Sequence, residues 1–154
     1  MPAVRQFCTF TIDTLLLGVN VRVVQAVLRD QRMTYVPLAS PVIRGLMNVR
    51  GHVVTTLDLR RRLGMKPALF GSSPMHVVIR TDHEPVSLLV DELGDVIDVA
   101  DNACESLPSS LDSEARALLS GAYTCGDRML LVLDLGKVMA VSHENHAQYQ
   151  TVLL

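Results

Sequence analysis

The stretch Gly45-Leu46-Met47-Asn48-Val49-Arg50-Gly51-His52-Val53-Val54-Thr55-Thr56-Leu57-Asp58-Leu59-Arg60 decides the fold. Two short apolar runs flank an Arg-Gly step, and the second runs into Leu57-Asp58-Leu59 and a basic segment ending at Leu63-Gly64. The β-branched run suits a half-buried strand, glycine permits a positive φ or a close backbone approach, and aspartate caps helix starts. The reading is a β-hairpin that feeds a short helix, with Gly45 and Gly51 as structural turns and Arg50 at the turn between strands.

Working outward, Phe7 to Ile12 alternates, Asp13-Thr14 offers a turn, and Leu15 to Val21 continues as a second extended run. Val23, Val24, Val27 and Leu28 recur at helical spacing behind a possible cap at Asn20, which predicts a short helix over about 22–28. Met33 to Val36 reads as a strand stopped by Pro37, and Lys66 to Pro74 as a surface loop. Residues 75–80 and 86–93 make a hairpin, and 95–101 adds a strand. A short helix is expected over 112–119, then a hairpin around Gly126-Asp127, then a short helix from Asp134 toward Val141. A polar tail covers 142–154, with Val152 to Leu154 as a candidate docking end.

One internal echo organises these elements. Val53 to Leu59 and Met129 to Leu135 both read as strand, Leu-Asp-Leu, then helix, and they lie 76 residues apart in a chain of 154. Two similar lobes follow, each a small curled antiparallel sheet closed by a short helix, because small sheets hide their edges best by closing.

Composition narrows the class. A chain of this length forms about one domain and buries roughly two-thirds of its unfolded surface. It is 49% hydrophobic with 4% aromatics and no Trp, so branched aliphatics must fill the core. A formal charge of −2 supplies no electrostatic footprint for nucleic acid or anionic lipid. Three cysteines without C-x-x-C spacing signal neither a disulfide framework nor zinc. No signal peptide opens the chain and no apolar run reaches the about 20 residues of a bilayer span, so the expected location is cytoplasmic, without membrane insertion.

No catalytic motif stands out: phosphate-binding loop, dinucleotide fingerprint, nucleophile elbow and H-E-x-x-H are all missing. Cys8 and Cys125 read as packing residues rather than nucleophiles, and His143 and His146 as solvated tail residues rather than metal ligands. Asp91, Glu92, Asp95 and Asp98 read as a solvated face or turn, and Arg60-Arg61-Arg62 as the exposed side of a helical turn rather than a phosphate grip. Arg50 is singled out as either a latch between strands, pinned by carbonyls or by Asp58 or Asp91, or a direct partner contact.

At these residues the chain resembles the CheW family of chemotaxis coupling proteins. Similar segments are Gly18 to Val27, Pro37 to Leu59, Val90 to Val96 and Gly126 to Leu135, and Asn48-Val49-Arg50-Gly51 is the most specific block. The likeness covers about residues 7–141. It implies a mostly β fold of two five-stranded SH3-like barrel lobes packed side by side with short helices, the first over about 14–80 and the second over about 81–141 plus the N-terminal strand. It implies no catalysis, no cofactor and no metal. The implied partners are the cytoplasmic helical hairpin tip of a chemoreceptor and the regulatory domain of a CheA-type histidine kinase, at membrane receptor arrays reached through those partners. The receptor would occupy a groove between the lobes lined by Val24, Gln25, Ala26, Arg50 and Val96, and the first lobe would meet the kinase end-on. Ala26 and Thr55 depart from the family pattern, which usually has Glu and Pro there. The competing reading from another class is a small β-barrel enzyme or ligand-binding domain that uses the same groove for a small molecule.

Overall fold

The computed structural model describes residues 3–29, 31–68 and 73–140. The expected tail, with His143, His146 and Val152 to Leu154, lies outside the described residues. Among the described residues ten strands run in chain order as β1 Val4–Ile12, β2 Leu15–Asn20, β3 Val24–Arg29, β4 Ile43–Val49, β5 His52–Asp58, β6 Met75–Ile79, β7 Val86–Val90, β8 Glu92–Ala100, β9 Leu119–Cys125 and β10 Arg128–Leu133. Three one-turn helices join them, α1 Leu59–Arg62, α2 Ser113–Arg116 and α3 Leu135–Val138. Among the described residues no helix is long and apolar enough to cross a membrane.

The strands form two five-stranded sheets. Lobe I has the order β3-β6-β7-β5-β4 and lobe II the order β8-β1-β2-β10-β9. The mostly β, two-lobed architecture matches the expectation, with three differences. The hydrogen-bonded ladders do not close into barrels, so β3, β4, β8 and β9 are edges. Each sheet contains one parallel pair, β5 with β7 and β10 with β2, so neither is purely antiparallel. The partition also differs, because β2 pairs within lobe II and β7 within lobe I, whereas the expected bounds of about 14–80 and 81–141 placed them in the opposite lobes. The chain therefore crosses between lobes twice, through a 3-10 turn at Val21–Val23 and through Asp91.

The 76-residue echo is structural. Asp58 accepts from Arg61 N–H at 3.3 Å and Asp134 from Lys137 N–H at 3.3 Å, each capping the helix behind its strand. Thr34 bridges to Leu46 on β4, and Glu105 to Ala122 on β9, with Leu46 and Ala122 again 76 residues apart. Gly45 lies inside β4 rather than at a turn. Its role is close approach, since a Cβ there would stand 2.8 Å from the Thr34 carbonyl oxygen. Gly51 does sit in the turn, at φ +85°, after Arg50 at φ +52°.

The side chains of the described residues sort into three apolar cores. Met47, Val54 and Val78 pack inside lobe I with Ala26, Leu28 and Val49 around them. Phe7, Leu16, Tyr123 and Leu130 fill lobe II. The largest core is shared, joining Phe10, Ile12, Leu17 and Val19 of lobe II to Leu57, Val77, Ile79 and Leu88 of lobe I. Period-2 alternation sends one face of each sheet to its own lobe and the other to the junction.

The helix expected over 22–28 is instead the 3-10 turn followed by strand β3. Asn20 does cap the turn, accepting from Arg22 N–H at 2.9 Å. The apolar spacing misleads because β3 carries an irregularity between Val24 and Ala26, which returns Val24 and Val27 to one face at a helix-like interval. Met33–Val36 contributes only the single Thr34 bridge rather than a strand.

Candidate functional site

The two edge strands β3 and β8 carry matching irregularities at the lobe junction. On β3, Val24 lies opposite Ile79 and Val27 opposite Val77, and both partners belong to the shared core. On β8, Leu93 lies opposite Phe10 and Val96 opposite Cys8, which also face that core. Directly opposed residues on paired strands share a face, so all four side chains point to the junction side. Thr9 Oγ1 donates to the Asp95 carbonyl at 2.6 Å and pins the β8 irregularity. Each sheet thus ends in two apolar residues three apart, where regular alternation would put them on opposite faces. Val27 and Leu93 are each 38% exposed and Val96 54%, so the shared core runs out to solvent as an apolar seam at both free edges.

The predicted groove residues divide. Val24 packs on the shared core and Val96 stands at the rim. Gln25 is exposed at the irregularity of β3. Ala26 points the other way, opposite Val78, into the private core of lobe I, so it does not join the seam. Arg50 is exposed in a left-handed turn, and its guanidinium makes no hydrogen bond or ion pair among the described residues. The turn is held instead by Gly51 N–H donating to Asn48 Oδ1 at 2.9 Å. Asp58 and Asp91, the carboxylates considered as its partners, are engaged elsewhere. Val27 and Leu93, outside the expected groove set, share the junction face with Val24 and Val96, and the pairs Val24/Val27 and Leu93/Val96 repeat one interval.

The arginine that latches the structure is Arg60. Its Nε donates to Asp91 Oδ1 at 3.0 Å and its Nη2 to Asp91 Oδ2 at 2.5 Å. Nη2 also reaches Asp13 Oδ1 at 2.6 Å, and Nη1 reaches Asp13 Oδ2 at 3.1 Å. The hydrogen bonds that the guanidinium donates to Asp91 and then Asp13 hold its pKa above the ordinary value. Asp13 is at the lobe II turn between β1 and β2, and Asp91 is the crossover, so α1 of lobe I is tied to both. Arg62 adds bonds to the carbonyls of Lys137 at 2.8 Å and Val138 at 3.1 Å, the end of α3 in the other lobe. The basic triplet is therefore not simply an exposed helical face. Two of its members staple the lobes together.

The chemistry of the remaining polar groups is structural. His76 Nδ1 and Ser87 Oγ lie 3.1 Å apart, the pairing a serine nucleophile would need, but both residues are fully buried and no substrate can reach them. Burial pushes the thiol pKa values of Cys8 and Cys125 up, away from the thiolate a nucleophile requires. Among the described residues no group of His, Cys, Asp and Glu is arranged to hold a metal.

Comparison with known proteins places this architecture among non-enzymatic adaptors of chemotaxis. The family model for the CheW-like domain matches residues 6–143, and the chain belongs to that family. It is 24% identical to the chemotaxis protein CheW of Klebsiella aerogenes over 88% of this chain and 82% of that protein. It is 27% identical to that of Bacillus subtilis, over 84% of this chain and 83% of the relative. The scaffolding protein TtCheW from Thermoanaerobacter tengcongensis shares the fold at a TM-score of 0.79 and 23% identity, covering 91% of this chain and 94% of that one.

Proposed function

We propose that this adaptor couples the cytoplasmic helical hairpin tip of a chemoreceptor to the regulatory domain of a CheA-type histidine kinase, in the cytoplasm at membrane receptor arrays. The observation that carries the reading is the apolar seam at the lobe junction. An amphipathic helix lays apolar residues at i, i+3 and i+4 into such a surface, and Val24, Val27, Leu93 and Val96 offer it four contacts on two rigid strands. Arg50 adds a charged group that no intramolecular partner occupies among the described residues. A contact of this size is modest alone, and linked copies in an array multiply its strength.

The test is co-purification with a receptor hairpin fragment and, separately, with the kinase regulatory domain. Val27→Lys and Val96→Lys place charges on the seam and are expected to lower receptor capture about tenfold or more with the melting temperature unchanged. Kinase-domain capture by the same variants is expected to persist, since this reading assigns the kinase an end-on contact of lobe I outside the seam. Full receptor capture by both variants would overturn the assignment of the seam.

A further inference from the structure

A hollow of about 510 Å³ opens where α1 and α3 meet, lined by residues of both lobes. It is built from equivalent positions of the two lobes. Val42 and Leu118, 76 residues apart, give it apolar walls, and Arg61 and Lys137, also 76 apart, stand over it. Arg62 and Glu114 complete the polar lining.

Its charge is unbalanced in a chain that is net negative. Three cations face one carboxylate. The Arg61 side chain makes no hydrogen bond or ion pair among the described residues. Lys137 has only a distant contact to Asp134, at 4.0 Å, with its side chain 63% exposed. Glu114 packs over Gly64, where an added Cβ would strike its carboxylate, and it forms no ion pair with the three cations. Arg62 is fixed in place by the α3 carbonyls, which leaves its Nη1 uncommitted. The guanidinium fork matches the tetrahedral oxygens of phosphate, and ammonium adds a point charge.

The geometry points to a binding site for a small organic phosphate, its phosphoryl oxygens accepting from Arg61, Lys137 and Arg62 and its apolar body resting on Val42 and Leu118. The volume suits a small molecule. Because α1 follows a strand of lobe I and α3 a strand of lobe II, an occupant ties the lobes together at a second place besides the Arg60 clamp.

The experiment is an amide chemical-shift titration of the full chain at constant ionic strength with phenyl phosphate, inorganic phosphate and phenol. Phenyl phosphate is expected to give saturable shifts around Arg61, Leu118 and Lys137, about 5- to 10-fold tighter than inorganic phosphate because its ring covers the apolar walls. Phenol should give no saturation there. Arg61→Ala combined with Lys137→Ala should weaken phenyl phosphate about tenfold, whereas Arg32→Ala, outside the lining of the hollow, should leave it unchanged. Both residues are surface side chains, and an unchanged melting curve certifies the double variant; the two single variants give an independent reading. Shifts that never saturate, equal binding of phenol, or full affinity in the double variant would each overturn the proposal.

Discussion

Arg60 and Asp91 form a two-pronged ion pair, Nε to Oδ1 at 3.0 Å and Nη2 to Oδ2 at 2.5 Å, at the point where the chain returns from lobe I to lobe II. The same guanidinium reaches Asp13, so one side chain, only 12% exposed, binds a helix, a crossover and a hairpin turn. Asp91 is further fixed by accepting from Asp13 N–H at 2.8 Å.

Removing the guanidinium leaves two neighbouring carboxylates without their shared counter-charge. Arg60→Ala is expected to cost about 1–3 kcal/mol, a value kept below that of a sealed pair because Asp13 is half exposed. Arg60→Lys should recover only part of it, since an ammonium cannot reproduce the fork. Urea denaturation measures both. Loss below about 0.5 kcal/mol for the alanine variant would show that the clamp is not a stabilising element.

The two glycines of the β4–β5 hairpin separate two kinds of constraint. Gly45→Ala forces a methyl group against the Thr34 carbonyl oxygen, which is backbone and cannot swing away, at an expected cost of about 2–3 kcal/mol. Gly51→Ala meets nothing within 4 Å and suffers only from its left-handed φ, about 1 kcal/mol. Thermal melts should rank Gly45→Ala as the more damaging change, and the reverse order would contradict the close approach.

Arg50 also occupies a left-handed conformation, at φ +52°, with no intramolecular partner for its side chain among the described residues. Arg50→Gly therefore relieves backbone strain and should leave stability unchanged or raise it by up to about 1 kcal/mol. Receptor capture should nevertheless fall. A destabilised Arg50→Ala protein would instead revive the strand-latch reading.

The thiols give a pH-dependent prediction. Burial raises the Cys8 and Cys125 pKa values, so the folded state holds these protons to higher pH than the unfolded chain does. Their contribution to stability is complete below the ordinary thiol pKa of about 8.5 and is lost as pH rises beyond it toward the folded values. Alkylation followed by mass spectrometry at neutral pH should modify exposed Cys104 first and the other two slowly. Equal rates for all three would be inconsistent with the described burial.

Local chemistry was legible wherever neighbours in sequence are neighbours in space. The hairpin turn at Arg50-Gly51, the Asp58 and Asp134 caps and the echo between the halves all follow from residues within a few positions of each other. Where β3 fails to read as a strand, its irregularity at Gln25 mimics the helical interval, and only pairing with β6 distinguishes the two. The groove residues Val24 and Val96 came from the family resemblance rather than from local pattern, and the face that Val27 and Leu93 share with them is set only by the partner strands.

By itself, then, the sequence determined that the chain is mostly β, aliphatic-cored, two-lobed and of the CheW family, because alternation, capping and motif spacing are properties of short segments. The tertiary structure alone decided that β2 and β7 exchange lobes, that Ala26 turns inward, and that Arg60 rather than Arg50 is the latch. Each of these depends on a contact between distant segments: the parallel pairings of β2 with β10 and β5 with β7, the pairing of β3 with β6, and an arginine meeting carboxylates 31 and 47 residues away. Such contacts are set by which apolar faces find a common core, and nothing in the residues adjacent to them records that choice.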